Sequence, residues 1–157
     1  LGKVIGAGLP IAAYGGRADV MSKIAPSGPV YQAGTLSGNP LAVTAGIAML
    51  RYIEEHPEIY DTLEKSSAAV TSAAPPGACV NRVGSMATFF FQDGPVRNYE
   101  DAKRSATPTF SRFFHHLLER GIYFPPSQFE AFFVSSAHTS EDIEYTRRAI
   151  ADFHPSV

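Results

Sequence analysis

Apolar positions in this chain follow two spacings, and each predicts a different kind of element. Over residues 40–54, Val43, Ile47, Leu50 and Ile53 recur at a helical period. Leu41, Ala42, Ala45, Ala48 and Met49 make the other faces apolar too, which predicts a largely buried helix. Asn39 suits its N-cap and Pro40 its first position, while Glu54-Glu55-His56-Pro57 ends it. Ile59, Tyr60, Leu63 and Val70 predict an amphipathic helix to about Ser72. Phe110, Phe113, Phe114, Leu117 and Leu118 predict another, opened by Thr107-Pro108 and stopped by Gly121. Thr139 followed by Asp142 resembles a capping box for a last helix through Ile143, Ala149, Ile150 and Phe153.

Shorter apolar runs bounded by breakers predict strands. They are Ile11-Ala12-Ala13-Tyr14, Cys79 to Val83, Met86 to Phe91, Ile122 to Phe124 and Ala131 to Ser135. Gly84-Ser85 separates the second from the third, and Asp93-Gly94-Pro95 is a turn. Asp19 to Ile24 suits a short helical turn. The phenylalanine stripes sit at helix or strand spacing, as core residues do.

The first forty residues stand apart because they gather Gly2, Gly6, Gly8, Gly15, Gly16, Gly28, Gly34 and Gly38. Glycine at that density marks backbone that bends tightly or admits another group at close range. The expected organisation is a glycine-rich piece of a larger α/β domain over residues 1–56, then a small α+β domain over residues 57–157.

Composition narrows the function classes. The 157 residues are 45% hydrophobic and 18% charged with a net charge of −2, an ordinary globular balance. Lysine and arginine are scattered, which argues against nucleic acid or an anionic membrane as partner. No apolar stretch approaches the roughly 20 residues that a membrane-spanning helix needs. The single Cys79 excludes an internal disulfide and reads as a buried strand residue. The chain starts at Leu1, which suggests a break in a longer protein.

Several chemistries lack their motifs. There is no G-x-x-x-x-G-K-[ST] run and no G-x-S-x-G. Gly6-Ala7-Gly8 is followed by Pro10 rather than by a helix, unlike a dinucleotide fingerprint. Neighbours His115 and His116 would point about 100° apart on a helix, a poor metal pair. His56, His138 and His154 have no partner at ligand spacing, so no metal site is expected.

Two segments carry candidate chemistry. In Gly2-Lys3-Val4-Ile5-Gly6-Ala7-Gly8-Leu9-Pro10 a lysine precedes an apolar pair and a glycine turn. A lysine that attacks an aldehyde must be partly neutral and held still, which apolar surroundings favour. An ordinary surface lysine fits the spacing equally. In Tyr31-Gln32-Ala33-Gly34-Thr35-Leu36-Ser37-Gly38-Asn39-Pro40 a hydroxyl and bare amides precede a helix start. Such a turn holds an anion such as phosphate, or is merely a capped helix entrance.

Together, G-K-x-I-G-x-G-L-P, A-Y-G-G-R and P-V-Y-Q-A-G-T-L-S-G-N-P-L-A resemble the class-III aminotransferases, fold-type-I pyridoxal-phosphate enzymes. Gly84-Ser85-Met86, Asp93 to Tyr99 and Pro125-Pro126-Ser127-Gln128-Phe129-Glu130-Ala131 are similar to the family's aminomutase branch. The resemblance spans essentially the whole chain. It implies an α/β fold: the C-terminal part of an aspartate aminotransferase-like large domain, then a small α+β domain. It implies Lys3 as the Schiff-base lysine and proton shuttle, and Gly34 and Thr35 as ligands of the cofactor phosphate of the neighbouring subunit. Glu130 becomes an active-site carboxylate from the small domain.

The implied cofactor is pyridoxal 5′-phosphate, cycling through its pyridoxamine form. The implied reaction moves an amino group within glutamate 1-semialdehyde to give 5-aminolevulinate, a tetrapyrrole precursor. The implied assembly is a homodimer with shared active sites, in the cytoplasm or a plastid stroma. Ala7 departs from the family's usual glycine. The acidic partner of the pyridine nitrogen, a second phosphate loop and a mobile lid would all precede Leu1, so the isolated chain is expected to be inactive. Competing readings are an ω-aminotransferase with a separate 2-oxo acid and a non-catalytic dimerisation or structural remnant.

Overall fold

A computed structural model describes residues 1–155. The chain divides into two compact units, Leu1–Pro57 and Glu58–Val157.

The first unit begins with a 3-10 turn, Lys3–Gly6, and a four-residue helix α1, Ala18–Met21. Its main element is α2, Pro40–Glu55. The Asn39 side chain accepts from the Ala42 amide at 3.1 Å, so one orphan donor of the helix start is satisfied as the sequence predicts. Other expectations for this unit fail. Residues 11–14 are irregular rather than a strand. A strand needs neighbours for its amides and carbonyls, and Ala13 bonds only the backbone of Leu1. The helix is not largely buried either: only Ala42 and Gly46 are, while Leu41, Ile47 and Leu50 stand exposed. The first unit has no sheet to lay against those faces.

In the second unit, α3 is Glu58–Thr71, and β1, Ala78–Val83, forms an antiparallel hairpin with β2, Met86–Phe91. The turn is the predicted Gly84-Ser85, with Gly84 at φ 57, a left-handed conformation that glycine adopts without strain. Beyond them come α4, Tyr99–Ala102, and α5, Thr107–Leu118. Strand β3 is only Phe132–Phe133, pairing with Met86 and Ala87, and α6 is Ser140–Ala151. Thr139 and Asp142 form the expected capping box.

Strand alternation puts Ala87, Phe89 and Phe91 on one face of β2, where they meet Phe113 and Leu117 of α5 and Ile150 of α6. Phe113 is completely buried and touches the rings of Phe89, Phe91, Phe110, Phe124 and Phe153. On the opposite face, Phe90 packs with Val96, Ala102 and the half-buried Cys79. With both faces of β2 covered, the sheet reads as an apolar run rather than an alternating one.

Residues 122–124 are not a strand, and β3 is shorter than the predicted Ala131 to Ser135. Pro125 and Pro126 bring no N–H to a ladder, and the Ile122 amide is already given to the Leu117 carbonyl. Phe124 is nevertheless buried, so hydrophobic content was right where backbone pairing was not.

Candidate functional site

Lys3 opens the 3-10 turn with φ 55, a left-handed backbone that only glycine takes freely. For a lysine that conformation costs about 1–2 kcal/mol. Ala7 closes the same turn at φ 50. The turn lies against α2: a Cβ on Gly46 would meet the Ile5 carbonyl and the Ile11 side chain, both at 3.3 Å. Lys3 lines a hollow of about 460 Å³ with Val4, Gly8, Leu9, Pro10 and Ile11. Its side chain is exposed rather than enclosed by apolar residues, since nothing in the first unit covers Val4 or Lys3.

Gly34 and Thr35 begin a tight turn. The Ser37 amide returns to the Gly34 carbonyl at 2.9 Å and the Asn39 amide to the Leu36 carbonyl at 3.1 Å. Those amides, with that of Ala42, are committed to the fold. Among the described residues, the Thr35, Leu36 and Gly38 amides and the Thr35 hydroxyl meet no acceptor. A Cβ on Gly34 would stand 3.0 Å from Ser37 Oγ, so the turn is tight enough to favour glycine there. The result is an exposed, donor-rich loop just before the positive end of a 16-residue helix, a place suited to an anion. No hydrogen bond joins Lys3 to this turn.

Glu130 belongs to the second unit. It lines a cavity of about 690 Å³ with Tyr123, Phe124, Phe132, His138 and Asp142. Its amide donates to the Ser127 carbonyl at 3.1 Å, while its exposed carboxylate has no partner among the described residues. On the cavity wall, hydrogen bonds from the Thr139 hydroxyl and amide hold the Asp142 carboxyl below the usual carboxylate range. His138 Nδ1 accepts the Ser135 amide at 3.0 Å, which leaves the proton of a neutral ring on Nε2. Among the described residues no cluster of three or more metal-ligating side chains occurs.

One residue with a structural part in this site escaped the sequence reading. Gln128 is 2% exposed, yet its Oε1 has no hydrogen-bond donor. It lies in an irregular loop, where no periodicity distinguishes inward from outward positions.

An amine on strained backbone and a donor-rich turn suit a cofactor that carries a carbonyl and an anionic group. The family model for aminotransferase class-III matches residues 1–150. The chain belongs to the class-III aminotransferases. A glutamate-1-semialdehyde 2,1-aminomutase of Thermus thermophilus is 57% identical over 97% of this class-III chain, which covers 37% of that protein. The enzyme of that name from Desulfatibacillum aliphaticivorans is 56% identical over 95%, and this chain covers 36% of its length. This chain therefore spans about a third of the curated relatives it matches.

Solved transaminase structures agree on the fold. An ω-transaminase from Sphaerobacter thermophilus superposes with a TM-score of 0.78 at 27% identity, over 96% of this chain and 36% of that one. A transaminase solved with PLP bound gives 0.72 at 28%, with the same coverage of both chains. The α/β fold of these transaminases is thus the fold of this chain. Among the described residues, no helix is long and apolar enough to cross a membrane.

Proposed function

We propose that the protein to which this chain belongs moves an amino group within glutamate 1-semialdehyde, yielding 5-aminolevulinate for tetrapyrrole synthesis. The observation that carries the reading is Lys3, an exposed amine on left-handed backbone beside a hollow walled by Gly8 and apolar residues. Backbone strain at a reactive side chain is where function, rather than folding, sets the conformation. The choice of a mutase is supported by identities of 57% and 56% to aminomutases over almost the whole chain.

The residues fit pyridoxal 5′-phosphate by donor type: an amine for its aldehyde, and a hydroxyl with free amides for its phosphate. When bound, that cofactor supplies an electron sink and, in its pyridoxamine form, the amino group. Lys3 would hold the cofactor at its aldehyde, and its Nζ, when free, would move protons to and from the substrate carbons. Thr35 Oγ1 and the amides near Gly34 grip the phosphate of a neighbouring subunit in a homodimer with shared sites. Lys3 and Thr35 therefore serve different sites and need not meet within one chain. Glu130 contributes a carboxylate from the small domain, residues 57–157, whose counterpart over residues 1–56 is the end of the cofactor-binding large domain. The compartment is the cytoplasm, or the stroma if the source has plastids.

The similarity to an ω-transaminase favours one other reading, transfer to a separate 2-oxo acid. Full-length protein supplied with glutamate 1-semialdehyde and no acceptor separates the two. Formation of 5-aminolevulinate, lost together with the cofactor's visible absorption in Lys3→Ala, is the expected result. Strict dependence on an added 2-oxo acid would assign the transaminase instead.

A further inference from the structure

We propose that Gln128 is a positioning residue that fixes the loop presenting Glu130, and so acts on turnover without touching substrate. The proposal rests on the reading of Glu130 as a site carboxylate.

The loop Ser127–Glu130 has little regular structure to hold it. Internally it has two bonds, from the Phe129 amide to Ser127 Oγ at 3.2 Å and from the Glu130 amide to the Ser127 carbonyl at 3.1 Å. Those bonds shape the loop but do not attach it to anything else. Attachment comes from two neighbouring side chains that both reach the α4 segment. Gln128 Nε2 donates to the Ala102 carbonyl at 3.4 Å, across 26 positions of sequence. The Phe129 ring sits 5.8 Å from that of Tyr99. The second contact is exposed, with Tyr99 65% and Phe129 50% accessible, whereas Gln128 is only 2% accessible. A buried amide is screened from competing water, so Gln128 is the firmer of the two attachments.

Glutamine is a poor choice for that place if folding alone were at stake. Its Oε1 is buried without a donor, and the Nε2 bond is long. An apolar side chain of similar length would fill the volume and remove the unsatisfied acceptor. What methionine cannot do is bond a specific carbonyl and thereby fix where the next two residues stand. Ala102 itself is buried against Phe90 and Val96, so the carbonyl that Gln128 finds is part of a rigid layer.

The test uses full-length protein and Gln128→Met, with amide exchange and turnover as separate readouts. We expect the melting temperature to hold while exchange at Phe129 and Glu130 speeds about tenfold and that of the α5 core does not change. We expect kcat to fall roughly tenfold to hundredfold, as displacement of a reacting group does, with KM little changed. In a Glu130→Gln background the same substitution should add almost nothing, because the two act through one group. Unchanged exchange in Gln128→Met would overturn the proposal, and so would an undiminished effect on kcat in the Glu130→Gln background. If Glu130→Gln alone kept full turnover while exchange still rose, the loop attachment would stand and the assignment of Glu130 would fail.

Discussion

Gly46 packs directly against the Ile11 side chain: a methyl group on Gly46 would stand 3.3 Å from Ile11 Cδ1. The same methyl would stand 3.3 Å from the Ile5 carbonyl, two residues after Lys3. This contact sets the distance between α2 and the turn that carries the lysine. Gly46→Val should therefore push the turn outward. In full-length protein we expect normal expression with cofactor retention reduced about tenfold, read by absorbance after gel filtration. Retention equal to that of the parent would show that the turn does not depend on α2.

Ala7 occupies a left-handed position, φ 50 and ψ 39, that glycine fills without a Cβ clash. Relief of that clash exceeds the added chain entropy of glycine by about 0.5–1 kcal/mol. Ala7→Gly should thus slow exchange of the Leu9 amide, which bonds the Gly6 carbonyl, by about two- to fivefold. Faster exchange would mean that flexibility of the free chain outweighs the relief.

Glu144 is held at a pKa of about 2 by hydrogen bonds from Arg147 and then Arg148, at 2.7 Å from each. Its folded value lies below the ordinary 4.5, so its contribution to α6 is complete above that pH and is lost as pH falls towards 2. Carboxyl NMR should show a Glu144 midpoint near 2 in the folded protein. Glu144→Gln should flatten the acid unfolding of α6 over that window. A midpoint near the ordinary glutamate value would show that both arginine contacts are transient in solution.

Local rules read well where one stretch of chain contains its own reasons. The Asn39 cap, the Gly84-Ser85 hairpin and the Thr139–Asp142 capping box each close within four residues, and each formed where the residues said. Elements needing a distant partner read less well. Ile11-Ala12-Ala13-Tyr14 has strand composition but finds no strand beside it. The apolar faces of α2 predicted burial that the first unit has no surface to provide.

The candidate site was legible in type more than in setting. Lys3 was marked by the glycines around it, and a surface lysine fitted the spacing as the structure has it, but its left-handed backbone was not marked. Gln128 lies in a segment that resembles the family, yet nothing in Ser127-Gln128-Phe129-Glu130 says that the amide turns inward and the phenylalanine outward. That sorting depends on the Ala102 carbonyl, 26 residues upstream.

Phe113 lines none of the cavity beside Glu130, but it supports one of its walls. Its ring lies 6.1 Å from that of Phe124, which is itself 4.7 Å from Phe132, and both of those face the cavity. The bore of that cavity is consequently gauged from inside the fold. A homologue that changed residue 113 in size would have to retune Phe124 or Phe132 with it, and the three positions should vary as a set.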